Sequence, residues 1–261
     1  MLRTPSPPPL KSSLCGVIDV LGFSDVVMAA YETNNQQAIL DDLFNVLGES
    51  QDRITDAGKR IAKLDVRVLT DNIIVTHQNG WQAQLWDLRH LCEMLCDYQY
   101  LMARRGYFVR GGIACGTISV NERMVFGDAL IKAHRLEQHV AKSPRIVIHP
   151  DLADMMRQKL AEESEPKRYK WSPFIREDTD GQLFVDYLFE TWQPIRGKER
   201  SMEVVDKRLA DHGDQVLRHL IQNKDDSNIR SKYLWCANYH NVFCDEVNKE
   251  HLKIDQSHLQ S

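Results

Sequence analysis

No apolar run in this chain approaches the ~18–20 residues that a membrane-spanning helix needs. The opening stretch MLRTPSPPPLKSS also lacks the continuous apolar core of a secretory signal. Nine prolines and 13 glycines in 261 residues are too few for a collagenous or low-complexity chain. Six cysteines in that length do not make a disulfide scaffold, so they read as free thiols in a reducing, cytoplasmic compartment. A basic excess is missing as well: Lys+Arg number 33 against Asp+Glu 37, a formal net charge of −4. Gripping a nucleic-acid polymer through many phosphates draws on such an excess, so a duplex is disfavoured as the main partner, while a local site for a small phosphate ligand stays open. A Walker loop, G-x-x-x-x-G-K-[ST], is absent too. What is present is 43% hydrophobic and 27% charged residues, enough for one large core or two modest domains.

Residues 1–13 carry Pro5, Pro7, Pro8 and Pro9 and read as a flexible, extended arm. The fold is expected to begin near Leu14, where Leu14-Cys15-Gly16-Val17-Ile18 reads as a buried strand leading to Asp19. Ser24 is placed to cap a helix through 25–30, and a second helix is expected from about Gln36 to Lys59. The period then changes. Residues 65–70 and 73–76 are β-branched runs joined at Asp71-Asn72, a hairpin signal. A long helix over about 81–104 ends at Gly106, and strands are expected at 108–116, 124–126 and 145–148, with a helix from Asp128 to about Val140. The order β-α-α-β-β-α-β-β-α-β describes an α/β domain spanning 14–150. Residues 151–261 read as a mostly helical C-terminal extension with a short hairpin around Asp180-Gly181.

Two acids carry the chemistry. Asp19 and Asp71 each stand where a short apolar strand ends, and adjacent strands could bring both carboxylates to one sheet edge, where they would repel unless a cation sat between them. Hard oxygen ligands of this kind suit Mg²⁺ or Mn²⁺ shared with a polyphosphate. By spacing alone, Asp71-Asn72 is equally a two-residue turn, and Asp19 equally the lead-in to a helix. Gly22-Phe23-Ser24 stands at the mouth of that helix, where free amides and the dipole favour a phosphate.

Four segments in order carry a resemblance: Gly16-Val17-Ile18-Asp19-Val20-Leu21-Gly22-Phe23-Ser24, Leu69-Thr70-Asp71-Asn72-Ile73-Ile74-Val75, Val109-Arg110-Gly111-Gly112-Ile113-Ala114-Cys115-Gly116, and 125–137, from Val125-Phe126-Gly127-Asp128 to Arg135-Leu136-Glu137. Together they resemble a class III nucleotidyl cyclase domain. The Arg-Gly-Gly-Ile segment and Lys232-Tyr233-Leu234-Trp235-Cys236-Ala237-Asn238-Tyr239-His240-Asn241 look like the bacterial pyrimidine cyclases of the Pycsar antiphage system. The resemblance implies an α+β sandwich with a ferredoxin-like βααββαβ core. It also favours the acid pair over the plain turn.

The implied reaction is attack of a ribose 3′-hydroxyl on the α-phosphorus of its own triphosphate, with pyrophosphate leaving. Asp19, Asp71 and the main-chain carbonyl of Val20 would hold two divalent ions, Mn²⁺ or Mg²⁺. The amides of Leu21, Gly22, Phe23 and Ser24 would line the triphosphate. The site would form in a homodimer, with Arg135 reaching across from the partner's helix. Its plainer role is a surface ion pair with Glu137 or Glu122. Two positions depart from the wider class: Ile131 stands for the usual asparagine one turn before that arginine, and Asp65 for the lysine that reads adenine. Arg67, on the same strand face as Asp65, is the candidate reader of a pyrimidine's carbonyls, or else a surface arginine paired with Asp65. UTP is the substrate favoured on the family's usual activity, with CTP next and a purine triphosphate or a catalytically silent nucleotide sensor as alternatives. The product would be a defence signal read by a downstream effector.

The remaining candidates read as packing. Cys236, His240 and Cys244 share one helix face, and a zinc site would need a fourth ligand. Cys92, Cys96, Trp81 and Trp86 read as core positions, Tyr233, Trp235, Tyr239 and Phe243 as a cluster packing the tail onto the domain or onto a second chain, and 162–168 as a solvated charged loop.

Overall fold

The computed structural model describes residues 8–58, 64–69, 72–78, 85–162, 174–194 and 199–256. Asp71, Trp81 and the charged run at 163–168 lie outside these residues. The elements follow the order read from the sequence: β1 (Lys11–Val20), α1 (Phe23–Glu32), α2 (Gln36–Gly58), β2 (Leu64–Leu69), β3 (Asn72–His77), α3 (Leu85–Arg104), β4 (Val109–Asn121), β5 (Met124–Phe126), α4 (Asp128–His139) and β6 (Ile146–Ile148). There follow α5 (Pro150–Glu162), β7 (Ile175–Glu177), β8 (Leu183–Val185), α6 (Phe189–Trp192), α7 (Met202–Gln222) and α8 (Ser227–Glu246).

The strands form a mixed sheet in the order β2-β3-β1-β4-β6-β8-β7, with β5 on β4. Among the described residues only the β4–β6 pairing is parallel, the others being antiparallel. This is a mixed α/β fold with a central sheet, flanking helices and a helical C-terminal extension, the fold class expected from the sequence. β1 begins at Lys11, ahead of the expected Leu14, because the long β4 offers its polar start a partner: Lys11 pairs with Ile118 and Ser13 with Gly116. Ser13 is fully buried, so the arm of 1–13 is shorter than its prolines suggest.

Alternation along β1 divides the interior in two. Leu14, Ile18 and Val20 face a large core shared with α3, α7 and α8, whereas Cys15 and Val17 face a small one with Ala114, Ile118 and the α4 residues Ala129 and Ala133. α4 can lie this close because β4 has glycine where it crosses: a Cβ on Gly112 would sit 2.4 Å from Leu136 Cβ and 2.5 Å from the Ala133 carbonyl. The entry to α4 also requires glycine. Gly127 has φ +155°, and a Cβ there would lie 1.9 Å from the Thr117 carbonyl.

Residues 151–256 do not stand apart from the rest. β8 pairs with β6 at Phe184 and Val147, and residues on both sides of Pro150 share the large core. Of the expected aromatic cluster Tyr233 does the joining, meeting Phe108 edge-on at 5.3 Å between centroids, while Trp235 and Tyr239 each meet Phe184 of β8, within the extension, at 5.5 Å. All six cysteines are buried free thiols, Cys92, Cys96, Cys236 and Cys244 among them. Burial pushes the thiols of Cys15 and Cys92 up to about 12, which makes them inert packing groups.

Candidate active site

Asp19 lies near the end of β1, on the face of the sheet that carries α4. Its register partners are Asn72 on β3 and Arg110 on β4. The Arg110 guanidinium is shared: Nε donates to Asp19 Oδ2 at 3.2 Å, and Nη2 lies 2.8 Å from Oε1 of Glu137 on α4. Glu137 is buried, while the Asp19 side chain keeps 16% of its exposure. On the large-core side, Tyr98 is buried and its hydroxyl has no hydrogen-bond partner among the described residues. Burial first, and the Asp19 carboxylate second, push its phenol well above the usual range.

Asn72 and Ile74 of β3, Val17 of β1 and one side of α4 enclose a cleft of about 620 Å³. Arg135, Ile131 and His134 line it, and Ile131 is 55% exposed where the wider family's asparagine would stand. Among the described residues no carboxylate lies within ion-pair distance of Arg135, and Glu137, its expected surface partner, is turned to Arg110 instead. The start of α4 is pinned to β4 by Asp128, which accepts from the Thr117 amide at 2.6 Å and hydroxyl at 2.8 Å and pairs with Lys132 at 3.1 Å. The Thr117 amide above all holds that carboxyl down at about 2.

The loop after Asp19 departs in two details from its expected form. Gly22, not Ser24, is the N-cap of α1, in the left-handed region at φ 69°, with no side-chain cap. The amide of Leu21, expected with its neighbours to face a triphosphate, donates to the Phe108 carbonyl at 2.8 Å. Gly22, Phe23 and Ser24 stand at the first turn, where helical amides lack intrahelical partners. On β2, Arg67 donates through Nε to Asp65 at 2.9 Å and through Nη2 to the Asn121 carbonyl.

Among the described residues no three His, Cys, Asp or Glu side chains are grouped to hold a metal ion, and Asp71 lies outside them. The donor chemistry fits a hard divalent cation nonetheless. Asp19 offers carboxylate oxygen, and Asp19 and Glu137 share one guanidinium, leaving the trio with a formal charge of −1.

Arg110 and Glu137 were not singled out from the sequence. A signal for Glu137 exists: it falls on the buried stripe of α4 with Ala129, Ala133 and Leu136, where an acid needs a partner. Arg110 shows no comparable local pattern.

No protein-family model and no curated protein matches the chain. Solved structures with a similar fold include the adenylyl cyclase CyaB from P. aeruginosa, at 16% identity over 68% of this chain and 94% of that one, TM-score 0.47. Another is the monomeric guanylyl cyclase domain of the RhoGC fusion protein from the aquatic fungus Blastocladiella emersonii, at 14% identity over 69% and 96%, TM-score 0.49. Activity, substrate and metal use do not carry over at that distance. No helix among the described residues is long and apolar enough to cross a membrane.

Proposed function

We propose that the protein is a metal-dependent nucleotidyl cyclase that converts UTP to 3′,5′-cyclic UMP and pyrophosphate as a defence signal. The observation that carries this reading is the β1–β3 register, in which Asp19 stands opposite Asn72, the chain neighbour of Asp71. Asp19, Asp71 and the Val20 carbonyl would hold Mn²⁺ or Mg²⁺. Such ions, when bound, acidify a coordinated hydroxyl and neutralise phosphate charge. The chain's own groups orient the rest. The first-turn amides of Gly22, Phe23 and Ser24 face the β- and γ-phosphates. In a homodimer, Arg135 of a second copy stabilises the charge that develops at the α-phosphorus as its bond to the 3′-oxygen forms and its bond to pyrophosphate breaks. The cleft beside Arg135 gives that copy room to dock. Asp65 cannot donate to adenine N1; Arg67 makes the pairing with Asp65 that was its alternative role and also donates to the Asn121 carbonyl, and it is through its remaining N–H donors that it would meet the carbonyls of a pyrimidine. A pyrimidine base is therefore the better fit.

Turnover of each of the four nucleoside triphosphates with Mn²⁺, with the products identified by mass, tests the reading. Cyclic UMP is expected to dominate. Dominant cyclic CMP would move the substrate to CTP, a purine product would overturn the pyrimidine assignment, and nucleotide binding with no product would make the protein a sensor.

A further inference from the structure

We infer that Glu137 is a positioning residue: by drawing Arg110 toward α4, it keeps the Asp19 carboxylate available to a divalent cation. The inference rests on the metal-dependent reading above and adds to it a residue from outside the acid pair.

Three observations converge. First, Arg110 is divided between two carboxylates: Nε donates a hydrogen bond to Asp19 at 3.2 Å, and Nη2 lies 2.8 Å from Glu137 Oε1 as an ion pair without hydrogen-bond alignment. A guanidinium presents its donors in a rigid fork that matches a carboxylate two-pronged, so an arginine beside a single carboxylate tends to clamp both oxygens. The pull of Glu137 on Nη2 opposes that clamp. Second, Glu137 is 3% exposed on the buried stripe of α4. A carboxylate in such a place is costly unless paired, and its ion-pair partner is Arg110. Third, the contact depends on a backbone approach specific to this spot. Gly112, two residues along β4 from Arg110, admits α4 at a distance that a Cβ would forbid, and this sets Glu137 over the strand. The same helix carries Arg135, so one ion pair ties the strand holding Asp19's partner to the helix lining the cleft.

The charge count makes the effect measurable. Asp19, Glu137 and Arg110 sum to −1. In Glu137→Gln the sum is 0 and the guanidinium is released to Asp19; both changes disfavour a bound cation. In the double variant Arg110→Gln/Glu137→Gln the sum returns to −1 and the guanidinium no longer competes for Asp19. A purely structural ion pair predicts the opposite order, with the double variant no better than the single.

Titration of the full chain with Mn²⁺, followed by the electron paramagnetic resonance signal of the free ion, reads this without recourse to turnover. Thermal melts of each variant run alongside. The expected result is a dissociation constant raised about tenfold in Glu137→Gln, the scale of one charge acting across a few ångströms near a protein surface. In the double variant it should return to within about threefold of the unmodified chain. A Glu137→Gln titration that superimposes on the unmodified one, or a double variant as weak as the single, overturns the inference. If Glu137→Gln fails to fold, the double variant, which buries no unpaired charge, decides by itself: binding tenfold weaker than in the unmodified chain overturns the inference. An unmodified chain that binds no Mn²⁺ would instead remove the metal-dependent reading, an outcome distinct from any difference between variants.

Discussion

On one face of the sheet the strands meet large side chains: Ile18 and Val75 pack with Leu88, Leu95 and Met102 of α3, and beyond them with α7 and α8. On the other face Cys15, Val17, Ala114 and Ile118 meet the small Ala129 and Ala133 of α4, with the partly buried Leu130 beside them and glycine at the crossing. The first face buries polar groups in the neutral state. His240 Nε2 faces the Leu252 carbonyl at 3.0 Å, and since a carbonyl only accepts, the proton sits there; His240 Nδ1 then accepts from His212 Nδ1 at 3.0 Å, and His212 Nε2 accepts from the Tyr187 hydroxyl at 2.9 Å. The second face carries Asp19, Arg110 and Arg135 at or near the surface and buries Glu137 against Arg110. Stability is concentrated where the core is thick. The proposed chemistry lies on the face where the covering layer is thin.

The sharpest way to break this division is to remove charge from the thin face. Asp19→Ala should lower cyclisation about a thousandfold or more, the scale on which several kcal/mol of charge stabilisation acts, while its melting temperature changes little. Arg135→Ala, on an exposed position, should lose about a hundredfold in turnover with stability within about 0.5 kcal/mol. Mixing the two inactive chains should restore part of the activity, because a mixed dimer holds one site with both groups intact. No recovery despite proven exchange of subunits would count against a site shared between chains.

Next in size is the spacing itself. Gly112→Val places side-chain atoms where Leu136 and the Ala133 carbonyl already lie, and should cost about 1–3 kcal/mol or more as α4 is pushed off the sheet. Activity should fall further than stability, because Glu137 and Arg135 travel with the helix. Chemical denaturation compared with turnover on the same samples checks this. Equal losses would mean that the close approach serves stability alone.

The thick face should answer to acid. Burial holds His212 well below its ordinary range, with His240 adding to the shift, and burial lowers His240 and His219 too. Below about pH 6.5 the unfolded chain takes up protons that the native histidines refuse, so stability should be flat above about pH 7 and fall as pH drops. The slope reaches at most about 1.4 kcal/mol per pH unit for each histidine. Thermal melts from pH 8 to pH 5 should show this decline before carboxylates titrate, and His212→Gln should make it shallower. An unchanged slope in that variant would assign the acid response to other groups.

The thick face was also the more legible one in the sequence. Apolar periodicity located α3 and the β-branched strands because local pattern and burial agree there, and Gly106 ends its helix at φ +85° as a glycine cap should. Asp19 was visible as an acid at the end of an apolar run. Arg110 and Glu137 were not, because each is explained only by the other: one is a charged residue in a strand, the other a charged residue in a helix, and their meeting depends on a crossing 27 residues apart in the chain. The joining of β8 to β6 was hidden for a related reason. Three-residue strands carry little pattern of their own, and the pairing rests on a single register position, Val147 with Phe184.

The smallest expected effect concerns two helix starts that look alike in sequence, one at the candidate site and one on the thick face. Ser24 and Asp226 both belong to residue types that cap helices. Asp226 does so, accepting from the amides of Asn228 and Ile229 at 2.9 Å, so Asp226→Ala should cost about 1 kcal/mol. Ser24 lies one residue inside α1, whose cap is Gly22, and makes no capping bond. Ser24→Ala should therefore change stability by less than about 0.5 kcal/mol. Denaturation of the two variants side by side tests the assignment. A loss in Ser24→Ala equal to that of Asp226→Ala would mean that the serine, and not Gly22, caps the helix.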